Sequence, residues 1–444
     1  LDKLFGTDGI RGVAGVDLTP DLAYRVGAAA VILSGTDRDK PVVLIGRDTR
    51  VSGEELESAV IKGALSVGAD ILRAGILPTP AIAYLIEKLG ADTGIVISAS
   101  HNPVADNGIK VFDRQGFKLS PVEEEAVEIL VRSELAVSFA KDAGKITDCR
   151  EEANRLYSEY LVSLFPLGLR GARVVLDCCY GAAYKIAGDV FRKAGAKVIE
   201  LNNEPRGDMI NVACGSTNPS LAGMTVKKES GYFGLAFDGD ADRVIAVDED
   251  GASCDGDYLL AIIATHLKDK GNLKDSSMVG TVMANLGFSR AMEKAGIKVV
   301  TAEVGDRFVL AKMRERRLNF GGEQSGHIIF LDHATTGDGI LTGLMIASIV
   351  AETGRPLRDL KKVMQKMPQV LINVRVGDKT ALDSAQGVKA AIKEAEKSLA
   401  GKGRILVRPS GTEPLVRVMV EADSQDGAER VANQLADIVR NELG

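Results

Sequence analysis

At 444 residues, with 45% hydrophobic and 26% charged positions, the chain is too long for one hydrophobic core and reads as two to four domains of a soluble globular protein. Its 55 basic and 61 acidic side chains leave a net charge of −6, which opposes nucleic-acid binding by bulk charge while permitting a local basic pocket. No apolar run approaches the ~20 residues of a membrane span, no secretory signal is expected, and the odd count of five cysteines, with Cys178 and Cys179 adjacent, points to a reduced cytoplasm.

The predicted elements alternate strand and helix from the start. Thr19-Pro20 reads as N-cap and first position of a helix reaching about Ser34. Val42 to Ile45 is a short buried strand. Ser52-Gly-Glu-Glu55 reads as a capping box, and Leu56, Val60 and Ala64 put an apolar stripe on its helix. Asp70 to Ala74 is a strand, Ala81 to Leu89 a helix, and Thr93 to Ile97 a third strand. Ser120-Pro121-Val-Glu123 caps another helix, and residues 136–150 lose apolar periodicity and read as a linker.

The pattern then returns twice. Val174 to Asp177, Ala182 to Ala194, Lys197 to Leu201, Pro219 to Glu229 and Phe233 to Phe237 form one further strand-helix-strand-helix-strand unit. Val279 to Met283, Phe288 to Ala295, Val299 to Ala302, Asp306 to Arg316 and Leu318 to Phe320 form another. Each third strand runs into a polar motif: "SASHNPVADNGIK" at 98–110, "DGDADR" at 238–243 and "GGEQSGH" at 321–327. Ligands of α/β sheets sit beyond the carboxyl ends of strands, so three such ends can face one cleft. The tail differs. Strands at 370–376, 403–407 and 415–421, with helices at 388–399 and 427–443, predict a small α+β domain whose polar loop is "RPSGTEP".

The motifs carry chemistry. Asp238, Asp240 and Asp242 repel one another unless a cation sits among them, and hard oxygen ligands suit Mg²⁺. An EF-hand would add Glu249, but Arg243 stands where that loop needs Gly. Arg408, Ser410, Gly411, Thr412 and Arg417 suit a phosphate, through backbone N–H, hydroxyl and guanidinium donors. Glu323, Ser325 and His327 suit sugar hydroxyls and proton transfer, although alone they read equally as a capped turn. Arg11 lies in the Gly-rich "FGTDGIRG", whose plain reading is a start-of-domain turn. Ser98 or Ser100 is a nucleophile candidate, with His101, Lys110 and Arg11 as activators; the plain reading is helix capping. The absence of a G-x-S-x-G elbow and of a P-loop disfavours an α/β-hydrolase and an ATP-dependent kinase. A serine, a metal site and phosphate binders without a nucleotide loop fit phosphoryl shuttling between protein and sugar.

"TGIVISASHNPVADNGIKVF", "FDGDADR", "GGEQSGH" and "RPSGTEP" together resemble, in order and over the whole chain, the four loops of the α-D-phosphohexomutases. "FGTDGIRG", Gln324 and "TTGDGI" at 335–340 resemble the phosphoglucosamine mutase branch, where phosphomannomutase/phosphoglucomutase enzymes more often have Met at the position of Gln324. The resemblance implies three topologically similar α/β domains with mixed sheets (1–150, 151–252 and 253–366) and a C-terminal α+β domain (367–444) around a central cleft. It implies that Ser100, rather than Ser98, is the phosphoserine, and that Asp238, Asp240 and Asp242 hold Mg²⁺ with the Ser100 phosphate. Glu323 and Ser325 would bind sugar hydroxyls. Arg408, Ser410, Gly411, Thr412 and Arg417 would bind the non-reacting phosphate, and Arg11, His101, Lys110, Arg243 and His327 would line the reacting centre. The implied reaction takes glucosamine 6-phosphate to glucosamine 1-phosphate through glucosamine 1,6-bisphosphate, for UDP-N-acetylglucosamine synthesis in the cytoplasm. It allows a homodimer and involves neither nucleic acid nor membrane.

Two places depart from the branch: Val104-Ala105, where two tyrosines are common, and Asn218, where His is usual. The rival readings are a phosphomannomutase/phosphoglucomutase of the same mechanism, a metal-dependent phosphosugar phosphatase, and a non-catalytic phosphosugar-binding protein.

Overall fold

The computed structural model describes residues 3–36, 38–133, 144–410 and 415–444. The chain divides into two compact units, Leu1–Met283 with Gly296–Lys362, and Ala284–Ala295 with Val363–Gly444.

Three sheets of the first unit repeat one topology. Val42–Arg47 lies parallel between Asp70–Ile76 and Thr93–Ile97, and Asp106–Phe112 returns antiparallel beside the last. Arg173–Asp177 lies parallel between Lys197–Leu201 and Phe233–Phe237, with Val244–Val247 returning. Ser277–Thr281 lies parallel between Lys298–Ala302 and Phe320–Gly322, with Ile328–Phe330 returning. In all three the spatial order is fourth, third, first, second strand. The three polar motifs are therefore hairpin connections at the carboxyl end of a central strand. Every residue of Thr93–Ile97 and Phe233–Phe237 is buried, as strands covered on both faces require.

The second unit holds an antiparallel sheet in the order Gln369–Arg375, Leu415–Glu421, Arg404–Pro409. The helix Gln425–Leu443 packs Val431, Leu435 and Val439 against Val416, Val418 and Val420. Their spacing of four is the stripe of an amphipathic helix on the alternating face of a strand. Among the described residues no single helix is long and apolar enough to cross a membrane.

Local rules hold at Thr19, whose hydroxyl accepts the Leu22 N–H at the start of Pro20–Leu33, and at Ser120, where the capping box with Glu123 forms. They fail at Ser52. That residue already has helical φ and ψ (−73°, −9°), so its side chain caps nothing and accepts instead from Asn107 Nδ2 at 2.9 Å. The expected linker also changes. Its residues 136–143 lie outside the described residues, but Ile146–Asp148 is an edge strand pairing parallel with Asp70–Ile76, and Arg150 starts a helix ending at Ser163. That strand buries no side chain and rests on backbone pairing, so it leaves no apolar period to read.

Candidate active site

Ser98 and Ser100 close the carboxyl end of Thr93–Ile97, and the fold separates their duties. Ser98 Oγ donates to Asp48 Oδ2 at 2.6 Å and accepts the Ser100 N–H at 2.9 Å. Ser100 takes a left-handed φ of 52°, sparsely populated for a residue with a side chain. Its Oγ donates to Asp238 Oδ2 at 2.6 Å and lies 3.1 Å from His101 Nδ1. Gly239 makes this approach feasible, because a Cβ there would stand 2.5 Å from the Ser100 carbonyl oxygen.

Asp238, Asp240 and Asp242 are all buried, and each offers a carboxylate oxygen within 4.8 Å of the others. Burial, reinforced by Asp242 and Asp240, pushes Asp238 well above the usual carboxylate range. Burial also opposes ionisation of Asp242, but Lys110 and His327 hold it well below that range. Among the described residues Asp240 Oδ1 and Asp242 Oδ1 are buried without a hydrogen-bond partner. Buried polar atoms left so require an explanation, and an oxygen-seeking dication fits this donor set. Glu249 does not belong to it. Its carboxylate accepts the N–H groups of Leu357 and Arg358 at 2.8 and 2.9 Å, which removes the EF-hand reading.

Cations surround the carboxylates. Lys110 Nζ lies 2.7 Å from Asp240, 3.0 Å from Asp8 and 3.2 Å from Asp242. Burial alone would lower its pKa, but these three carboxylates raise it well above the ordinary value, so Lys110 is a fixed cation rather than a base. Arg243 Nε stands 3.7 Å from Asp242 Oδ1. Arg11 reaches Asn102 Oδ1 at 2.8 Å and pairs with Asp8. Burial, together with Arg243 and Arg11, pushes His101 down to about 4, leaving a neutral imidazole beside Ser100 at neutral pH. His327 Nε2 accepts the Gly337 N–H at 3.0 Å, which assigns the proton of a neutral ring to Nδ1, 3.6 Å from Asp242 Oδ1.

In the third loop Glu323 Oε1 accepts the Gly305 N–H at 2.8 Å, and Ser325 Oγ is buried without a partner among the described residues. Gln324, the branch marker, donates to the buried Asp257 at 2.8 Å.

The second unit carries the other expected group. Arg408 and Arg417 face each other in register on adjacent strands, and burial and the Arg417 charge both depress the Arg408 pKa. Like charges so placed are unfavourable unless an anion lies between them. Ser410 is buried, and its carbonyl takes Lys379 Nζ at 2.8 Å. Gly411 and Thr412 lie outside the described residues.

Several residues escape the motif reading. Thr79 donates to Asp240 Oδ2 at 2.5 Å, and Lys118 bridges Asp8 and Asp306. Asp48 and Arg50 follow the first strand of the first sheet, Thr79 its second strand, and Asp306 the second strand of the third sheet. The carboxyl-end rule, applied to every parallel strand instead of each third one, would have found them. Of the two departures from the branch, Asn218 accepts the Ser220 N–H at 3.3 Å in a helix-entry turn.

Four family models match in succession. They are described as phosphoglucomutase/phosphomannomutase alpha/beta/alpha domain I at residues 2–137, domain II at 155–251, domain III at 255–367, and the C-terminal domain at 371–438. The phosphoglucosamine mutase of Shouchella clausii (strain KSM-K16) is 48% identical over 447 residues, and that of Bacillus subtilis (strain 168) 47% over 447, each covering 100% of both chains. A solved structure of Aspergillus fumigatus N-acetylphosphoglucosamine mutase, in complex with GlcNAc-6P and magnesium, superposes with a TM-score of 0.72. It is 20% identical and covers 99% of this chain and 96% of that one, a likeness of fold.

Proposed function

The chain belongs to the phosphoglucomutase/phosphomannomutase family, in its phosphoglucosamine mutase branch, and from that membership we propose that it interconverts glucosamine 6-phosphate and glucosamine 1-phosphate through a phosphorylated Ser100. The observation that carries the mechanism is the Ser100 hydroxyl held 2.6 Å from Asp238, inside a buried carboxylate triad.

Phospho-Ser100 gives its phosphoryl group to O1 of glucosamine 6-phosphate. The P–Oγ bond breaks as the P–O1 bond forms, and the O1 proton leaves to a neighbouring base. The resulting glucosamine 1,6-bisphosphate turns over in the site. Its 6-phosphoryl group then returns to Ser100 Oγ, and O6 takes back a proton. Asp238, Asp240 and Asp242, with a phosphoryl oxygen on Ser100, would hold Mg²⁺, which supplies charge stabilisation for the transferring group. Arg11, Lys110 and Arg243 add fixed positive charge, and proton movement falls to His101, which is neutral at this pH, and to His327, whose pKa Asp242 and Asp306 raise against the opposing effect of burial. Glu323 and Ser325 hold sugar hydroxyls; the buried Ser325 Oγ, without a partner among the described residues, supports that role. Arg408, Ser410, Gly411, Thr412 and Arg417 hold the phosphate that is not reacting, supported by the Arg408–Arg417 apposition. One polar loop per domain, with boundaries at 150, 252 and 366, is part of the same proposal, supported by the four successive family matches. A cytoplasmic setting is supported by the odd cysteine count.

A coupled assay on glucosamine, glucose and mannose 1-phosphates tests the reading. Glucosamine 1-phosphate should be the preferred substrate, and Ser100→Ala should abolish turnover in a folded protein. A hundredfold preference for mannose or glucose, or free phosphate as the main product, would overturn it.

A further inference from the structure

Arg50 is buried with 1% of its surface exposed, and all five of its N–H donors are used. Nε donates to Asp48 Oδ2 at 3.1 Å. Nη1 donates to the carbonyls of Pro103 and Asp106 at 2.5 and 2.9 Å, and Nη2 to those of Ser100 and Asn102 at 2.9 and 2.8 Å. Four of the five bonds thus go to the backbone of one loop, the loop that presents Ser100. A second side chain, from the second domain, takes two of the same carbonyls. Asn211 Nδ2 donates to Ser100 O at 2.9 Å and to Asn102 O at 3.1 Å, while Asn211 Oδ1 is itself held by Cys179 Sγ at 3.0 Å. Both lone pairs of the Ser100 carbonyl are therefore engaged, from opposite partners, at a residue whose φ of 52° the chain would not adopt freely.

We propose that Arg50 and Asn211 are positioning residues: a two-sided clamp on the carbonyls of Ser100 and Asn102 that keeps Ser100 Oγ aimed at Asp238 through both phosphoryl transfers. Arg50 supplies a planar fork that no other side chain reproduces. Asn211 links the loop to the domain that carries the carboxylates, so Ser100 and its metal-binding partners keep one geometry. The reaction needs this twice per cycle, with opposite ends of the sugar as acceptor and donor. A misplacement of about 1 Å in a reacting group costs on the order of a hundredfold in rate.

This inference rests on Ser100 being the phosphoryl carrier. Asn211→Gly removes the amide while keeping a residue tolerant of φ near +61°. Arg50→Lys keeps the charge against Asp48 and loses the fork. Kinetics of the folded fraction should show kcat lower by about tenfold in Asn211→Gly and about a hundredfold in Arg50→Lys. KM should stay within about twofold of wild type, since neither side chain meets substrate. The double variant should lose less than the product of the two, because both grip the same carbonyls. Normal kcat in folded Asn211→Gly, a loss carried by KM, or multiplicative losses in the double variant would overturn the clamp. If Arg50→Lys fails to fold, Asn211→Gly decides alone through its kcat and KM. Ser100→Ala run alongside separates the two levels: its retained activity sinks the phosphoserine reading, whereas its inactivity with a normal Asn211→Gly sinks the clamp only.

Discussion

Ser100 Oγ donates to Asp238 Oδ2 at 2.6 Å across a separation of 138 residues, joining the loop of the first sheet to that of the second. A hydroxyl so placed is within reach both of the carboxylates and of whatever cation they hold. The two residues owe their meeting to the same cause. Each ends a buried third strand whose chain then turns back antiparallel, so the same position of a repeated topology delivers a serine hydroxyl in one copy and carboxylates in the next.

The carboxylate triad predicts metal dependence. Chelation should abolish turnover and Mg²⁺ should restore it. Asp240→Asn, which keeps the side-chain shape and the Thr79 contact, should raise the Mg²⁺ concentration for half-maximal activity by at least about tenfold. Turnover that is indifferent to chelator would contradict a metal at this site.

Arg417 predicts a binding defect. Hydrogen bonds to a charged group contribute about 1.5–3 kcal/mol, or roughly 10–150-fold in affinity. Arg417→Ala should raise KM for the phosphosugar by that order. The substitution also removes the like charge facing Arg408. An unchanged KM would separate this sheet from phosphate binding.

Gln324 predicts the reverse. Its amide serves the buried Asp257 at 2.8 Å. Gln324→Met removes that donor and should cost about 1–3 kcal/mol in denaturant unfolding. The ranking of glucosamine, glucose and mannose phosphates should not change. A switch toward mannose or glucose would make Gln324 a specificity residue after all.

Asp338 predicts a pH-dependent stability. It caps Gly339–Thr353 through the Leu341 N–H at 2.9 Å and accepts the Tyr157 hydroxyl at 2.5 Å, yet burial pushes its pKa from 3.8 up to about 6. The folded pKa lies above the unfolded one, so the protonated form suits the fold. Its contribution is complete below pH 3.8 and is lost as pH rises through 6. Asp338→Asn keeps a capping side chain and cannot ionise. Relative to wild type it should gain about 2–3 kcal/mol between pH 4 and 7. A stability difference that stays flat over that interval would contradict the shift.

The three motif loops were legible because strands buried on both faces end abruptly in polar residues, a contrast that period and composition carry. The Ser98–Ser100 choice was not, since both flank Ala99 equally in sequence; the difference lies in which carboxylate each meets, Asp48 or Asp238. Ser52 shows the same limit, because a capping box requires an extended backbone at its first residue, and the sequence does not reveal that φ and ψ are already helical there. Arg50 and Asn211 were invisible for a further reason. Their partners are backbone carbonyls, which have no residue type to pattern on.

The central claim is that Ser100 carries the phosphoryl group. Protein incubated with glucosamine 1,6-bisphosphate and analysed by intact mass and fragment sequencing should carry one phosphoryl group, on Ser100, which glucosamine 6-phosphate then removes. Modification of Ser98 or another residue, or full turnover by protein that never acquires a phosphoryl group, would contradict the account.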